Sequence, residues 1–148
     1  MKGIEIAEEL ELCIRSFLEA QERSEHEGMD DFDELRILEA SFNRLFISIE
    51  HLCNAIILAE TGNFSKKHFG DFAKLSGLKE KYQADLAGIY QTTYNFRSYA
   101  DYRKCQEIRD KFKRAELKIQ VKIAKAAIKT CLDIMAKQLN VGNLAKRL

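Results

Sequence analysis

An all-α fold is what this 148-residue chain predicts, and three observations predict it. Proline is absent, so the residue that most readily breaks a helix interior never interrupts the chain. Ala, Glu, Lys, Leu and Ile dominate, and 46% of the residues are apolar, enough for one core in a chain of single-domain length. Apolar residues also recur at three- and four-residue steps over long stretches, the period of a helix with one buried face. The expectation is one domain over residues 1–148, an up-and-down bundle of four to five helices with its core at about 33–135.

The first helix covers Ile4 to about Arg23, inside an acidic segment of residues 4–27. Ala7, Leu10, Ile14, Phe17 and Leu18 share one face and Glu5, Glu8, Glu9, Glu19 and Glu22 the other, with acids early in the helix where its dipole favours them. Gly28-Met29-Asp30-Asp31 breaks the period. Asp30, Asp31, Asp33 and Glu34 lack the alternating ligands and central glycine of a calcium loop, so they read as caps and not as a metal site. The second helix runs from about Asp33 to Thr61. One stripe, Leu35, Leu38, Phe42, Leu45, Ile49, Leu52 and Ile56, and a second, Ile47, His51, Ala55 and Leu58, make it apolar on two sides and central to the bundle. His51 reads as a partnered core histidine. Gly62-Asn63 ends the helix.

A short helix over Phe64 to Leu75 follows, capped by Asn63 or Ser65, closed by Ser76-Gly77 and turning Phe69 and Phe72 inward. Lys66, Lys67 and His68 stand in its first turn, where positive charge opposes the helix dipole; they serve either a ligand or solubility. From Leu78 another helix carries Tyr82, Leu86, Ile89, Tyr90 and Thr93 onward. The last begins near Tyr102 or Gln106 and continues to about Asn140, with Ile108, Phe112, Ala115, Ile119, Ile123, Ala126 and Met135 inward. Lys104, Lys111, Lys118 and Lys125, with Lys122 and Lys129 beside them, form a basic stripe, a solvated face or a site for nucleic acid. Residues 141–148 are expected to fray.

The net charge of +1 hides an asymmetry. Residues 1–39 carry four basic and thirteen acidic side chains, residues 97–148 fourteen basic and five acidic. Such ends can pack on each other within a subunit or across a dimer, and the basic end can attract a polyanion; packing is the favoured use. Cys13, Cys53, Cys105 and Cys131 have neither zinc-ligand nor disulfide-module spacing, so buried, reduced thiols are expected. Without a leader-like start or a run of some 18 apolar residues, the expectation is a soluble, cytoplasmic protein that needs no membrane, cofactor or metal.

The densest chemistry lies in Tyr94-Asn95-Phe96-Arg97-Ser98-Tyr99-Ala100-Asp101-Tyr102. On a helix, Tyr90, Tyr94, Arg97 and Asp101 share one face, with Arg97 and Asp101 at ion-pair spacing. A guanidinium offers a planar fork of donors to phosphate, and aromatic rings can stack on bases. The same residues could equally form a structural Arg–Asp pair among tyrosines at a helix seam.

Three segments resemble the HEPN superfamily of nucleotide-binding helical domains, in its small stand-alone archaeal and bacterial branch. They are Ala40-Ser41-Phe42-Asn43-Arg44-Leu45-Phe46 with Glu50-His51-Leu52, then Lys66-Lys67-His68-Phe69-Gly70-Asp71-Phe72, and the most specific, Arg97-Ser98-Tyr99-Ala100-Asp101-Tyr102, an R-x-x-A-D-Y signature. The resemblance spans roughly Asp33 to Met135. It implies a bundle that forms a homodimer with the arginine near the subunit cleft. It also implies a nucleotidyltransferase partner in a toxin–antitoxin-like pair, or a nucleotide or RNA ligand. The site residues it suggests are Arg97, Asp101 and Tyr102 for catalysis and Tyr94, Arg97, Ser98, Lys67 and His68 for ligand binding.

Other HEPN members are metal-independent ribonucleases whose arginine and polar residue are followed by a histidine. Arg97 and Ser98 fit that pattern, but Tyr102, Arg103 and Lys104 stand where the histidine should fall, and the chain's histidines are His26, His51 and His68. Histidine exchanges protons near pH 6.5 whereas a tyrosine does so near pH 10. The expectation is therefore binding with little or no catalysis. The alternatives are a ribonuclease that draws its proton transfer from Asp101, Tyr102 or His68, and a purely structural helical oligomer.

Overall fold

The structure, a computed structural model, describes residues 3–101, 114–139 and 144–148, except for the side chains of residues 68, 69, 98–101 and 139. Among these residues every regular element is helical. The order is α1 (Gly3–Ser24), α2 (Asp31–Thr61), the short α3 (His68–Ala73) with a 3-10 turn (Lys74–Leu78), α4 (Lys79–Tyr82), α5 (Leu86–Asp101), α6 (Arg114–Leu139) and a closing 3-10 turn (Leu144–Arg147). The expected all-α class is met.

Side-chain contacts give the directions of the long helices. Glu19 pairs with Arg44, the Ser48 hydroxyl donates to the Cys13 carbonyl, and Glu9 pairs with His51. Numbers fall on α1 as they rise on α2, so the two form an antiparallel hairpin. Phe42 stacks on Phe96 while Phe46 meets Tyr94 and then Tyr90, which sets α5 antiparallel to α2. Arg114 reaches Glu34 at one level and Cys131 lies near Cys53 at another, so α6 runs alongside α2 in the same sense. The four long helices alternate up and down.

α2 is the axis of the core. Leu38, Phe42, Leu45, Ile49, Leu52 and Ile56 from its first stripe and Ala55 and Leu58 from its second are buried. By length and composition this helix could cross a membrane, yet 61% of its apolar window is buried against the rest of the bundle. Its N-terminus is built by the acidic cluster. Asp30 caps by accepting the Asp33 amide at 2.8 Å, while Asp33 accepts the Met29 amide at 2.9 Å and Glu34 the Gly28 amide at 2.8 Å. A Cβ on Gly28 would come within 2.4 Å of the Glu34 backbone nitrogen, so only glycine fits. At the other end Gly62 takes the left-handed conformation (φ 74°) and donates to the Leu58 carbonyl, the expected stop.

Several expectations are corrected. The short helix begins at His68 and not near Phe64, because the Asp71 carboxylate reaches back to the Ser65 hydroxyl and the Lys66 and Lys67 amides and holds residues 65–67 as a loop. Asn63 and Ser65 do not cap it; the N-cap position is Lys67, without a side-chain bond. The helix expected from Leu78 is broken after Tyr82: Gln83 has φ 53°, and Asp85 restarts α5 by accepting the Gly88 amide.

On α6, Met135 is buried as expected but Ala115, Ile119, Ile123 and Ala126 face outward. The buried stripe is Leu117, Val121, Ala124, Ile128, Cys131 and Leu132, the other of two apolar stripes that share the helical period. Ile108 and Phe112 lie outside the described residues. Within the tail expected to fray, Ala145 is buried and the Arg147 guanidinium bonds Glu11 on α1. Together with Arg114, this shows the opposite charges of the two ends meeting inside one chain.

Candidate functional site

Arg97 sits where α5 crosses the first half of α2. The Phe42 and Phe96 rings stack with centroids 4.9 Å apart and planes 4° from parallel, which fixes the register of the two helices. One residue beyond Phe96, the Arg97 Nε donates to the Asn43 side-chain oxygen at 3.3 Å, and its guanidinium carbon lies 5.0 Å from the centroid of Phe46. A cation over a ring face is attracted by the ring quadrupole. Arg97 is half-buried at this seam, with a planar fork suited to phosphate or carboxylate.

The tyrosines of the same face turn toward α2. Tyr90 is buried, T-shaped against Phe72 at 4.8 Å and tilted against Phe46 at 5.4 Å. Burial first, and then the negative charge of Glu50, pushes its phenol up to about 12; it remains protonated and cannot serve as a base near neutrality. Tyr94 is half-buried with its ring edge toward Phe46 at 5.9 Å. Two of the four residues predicted to share a face thus form the aromatic packing around Arg97. Ser98 and Asp101 belong to the last turns of α5, but their side chains, like Tyr102 as a whole, lie outside the described residues, and so does the expected Arg97–Asp101 ion pair.

Lys67 lies elsewhere. It is exposed and lines a cleft of about 800 Å³ at the C-terminal end of α2, formed by Ile57, Thr61, Asn63, Phe64, Lys66, Asp71 and Lys74. His68 opens α3 beside it; its side chain is outside the described set. Phe46 and Ile57, which mark the two levels, are eleven residues apart on α2, about 16 Å at the helical rise. Arg97 and Lys67 therefore belong to different places.

A second cavity, of about 680 Å³, runs between the end of α1 and the start of α2, lined by Glu19, Glu22, Arg23, Asp33, Arg36, Glu39 and Asn43 among others. Asn43 joins this groove to the Arg97 seam. Asn43 and Phe46 were given no role from the sequence, because they lie more than fifty positions from Arg97. The usable signal was the aromatic spacing Phe42, Phe46 and Phe96, which marks two helices in contact.

The remaining titratable groups are tied into structure. His51 Nδ1 is 2.6 Å from Glu9, the expected partnered histidine. Burial pushes the Cys13 and Cys131 thiols up to about 12 and Cys53 well above its ordinary value, which leaves them as unreactive thiols. Cys105 is outside the described residues. Among the described residues no group of three or more His, Cys, Asp or Glu side chains is placed to hold a metal. Comparison with protein-family models, with curated proteins and with solved structures finds no match to this chain.

Proposed function

We propose that the chain is a HEPN-type binding module, the partner of a minimal nucleotidyltransferase in a toxin–antitoxin-like pair. It engages a nucleotide or RNA phosphate at the Arg97 level and has little or no catalysis of its own. The observation that carries this reading is the orientation of Arg97 by an amide and an aromatic ring, Asn43 and Phe46, at the seam of the two helices that bear two of the HEPN-like segments. The amide and the ring hold the guanidinium at the seam in a fixed orientation, and its planar fork of donors matches a phosphate. Proton transfer is less well provided for. Tyr90 is held protonated, and His51 is engaged with Glu9 about two turns along α2 from Asn43.

The test is incubation of the protein, in chelator, with end-labelled mixed-sequence RNA and tRNA, beside Arg97→Ala. The expected result is no cleavage, with RNA held by the wild type and held more weakly by the variant. Cleavage that needs Arg97 would instead make this a metal-independent ribonuclease, and binding indifferent to Arg97 would remove the site.

A second reading, association with a partner protein, is favoured by the outer face of α6. Ile119 and Ile123 are 49% and 45% exposed, beside exposed Ala115 and Ala126, and Lys118, Lys122 and Lys129 run along one flank. An apolar ridge with a basic flank fits a partner face that is apolar and bordered by carboxylates. Ile119→Glu with Ile123→Glu, which adds charge without touching the core, is expected to abolish association with the proposed nucleotidyltransferase partner in a pull-down from the source cell. A homodimer across this ridge would show instead as a loss of dimer mass in light scattering.

A further inference from the structure

From the cleft at the C-terminal end of α2 we infer a second binding site, for a nucleoside phosphate, separate from Arg97 and beyond the function proposed above. The chemistry converges from three sides. Phe64 stands 49% exposed at its rim although it is the largest apolar side chain in the loop, and an exposed ring beside lysines is a platform on which any base can stack. Lys66, Lys67 and Lys74 all line the same cavity, Lys74 with its Nζ 4.0 Å from Asp71. Asp71 is the cavity's carboxylate, and it is committed: it accepts the Ser65 hydroxyl at 2.8 Å and the Lys66 and Lys67 amides at 3.2 and 3.3 Å.

These bonds hold Asp71 below its ordinary value, with the Ser65 hydroxyl as the largest cause. They also fix the loop that presents the two lysines, so Asp71 acts as the loop's organiser. The cavity remains net basic by two charges, in contrast to the α1–α2 groove, where four carboxylates outnumber two guanidiniums. At about 800 Å³ the cleft has room for a mononucleotide, whereas a lone phosphate would leave most of it empty. The base lies on Phe64 with Ile57 behind it, and the phosphates lie among the three lysines.

The source of the nucleotide, free or within a strand, is read by the probes. ATP, AMP, adenosine, inorganic phosphate and a short oligouridylate are titrated into the full chain at about 50 mM salt, where phosphate contacts are strong. The variants are Lys67→Ala with Lys74→Ala, Phe64→Ala, and Arg97→Ala as the independent arm. Because the first three residues are exposed, their variants should keep the wild-type circular dichroism.

Read in the Arg97→Ala background, so that the Arg97 level contributes nothing, the expected result is saturable binding of ATP or of the oligonucleotide, weakened about tenfold or more by adding the lysine pair and about fivefold by adding Phe64→Ala. Adenosine alone should bind far more weakly, and phosphate should compete. ATP preferred over the oligonucleotide marks a free nucleotide as ligand; the reverse marks a strand. The site is overturned if neither probe binds saturably, or if binding survives the lysine pair and is lost with Arg97→Ala; that last result would leave the Arg97 reading standing alone.

Discussion

The two ends of α2 are built from the same device, yet the cavities beside them have linings of opposite charge. At the N-terminal end Glu34 accepts a fork of hydrogen bonds from Arg114 at 2.7 and 2.8 Å, and Arg114 also donates to the Ser24 carbonyl at 2.5 Å. At the C-terminal end Glu60 accepts from Lys81 at 2.5 Å and from the Tyr82 hydroxyl at 2.6 Å. In each case a carboxylate on α2 anchors a segment distant in sequence. Around the first anchor the cavity carries a surplus of carboxylates, and around the second a surplus of lysines. Among the described residues, the near-neutral chain thus carries one cavity with a surplus of carboxylates and one with a surplus of lysines, and formal net charge predicts neither.

Variants along α2 break this comparison in order of size. Phe42→Ala, in the first half of α2, removes a fully buried ring and its stack on Phe96. A loss of about 3–5 kcal/mol in denaturant unfolding is expected, with both ends loosened together. Arg114→Ala comes next. It strips Glu34 of both guanidinium bonds and the Ser24 carbonyl of a donor, at about 2–3 kcal/mol, and should increase amide exchange at residues 24–34 while leaving the loop at 62–67 unchanged.

The two carboxylates also predict an acid limit. The Arg114 hydrogen bonds hold Glu34 below its ordinary value of 4.5. For Glu60, burial pushes upward, but the Lys81 and Tyr82 bonds outweigh it and the net shift is downward. A depressed carboxylate contributes stability that is present above its unfolded value and is lost as pH falls through the folded one. Melting temperature should therefore fall as pH drops below about 4.5, and Arg114→Ala should flatten that fall. The smallest effect is Tyr82→Phe. It deletes one bond to Glu60 while keeping the ring in the core, so it costs about 1 kcal/mol and raises the acid midpoint slightly.

Much of the fold could be read in the sequence because helical period, caps and terminators are local signals. The α2 stripes, the Asp30 cap and the Gly62 stop are each written within a few residues. What escaped was decided by tertiary contacts. α6 offers two apolar stripes at the same period, and the choice of Leu117 and Val121 over Ile119 and Ile123 depends on which face meets α1 and α2. Gln83 breaks a continuous pattern through a left-handed turn that glutamine does not advertise. The site was legible as chemistry and not as place. Arg97 was singled out, but Asn43 and Phe46, which orient it, belong to another helix. Lys67 and Arg97 read as one site in the sequence, although eleven residues of α2, about 16 Å, separate their levels.

Cys13, Cys53 and Cys131 are reduced, and each is fully enclosed. A thiol shut off in this way meets a small alkylating reagent only when its surroundings part, so its labelling rate times opening events that leave no mark on bulk secondary structure. The three sample α1, α2 and α6 at once. Equal rates would mean that these helices separate as a single cooperative unit, while an earlier rate at Cys131 would identify α6 as the first layer to peel away.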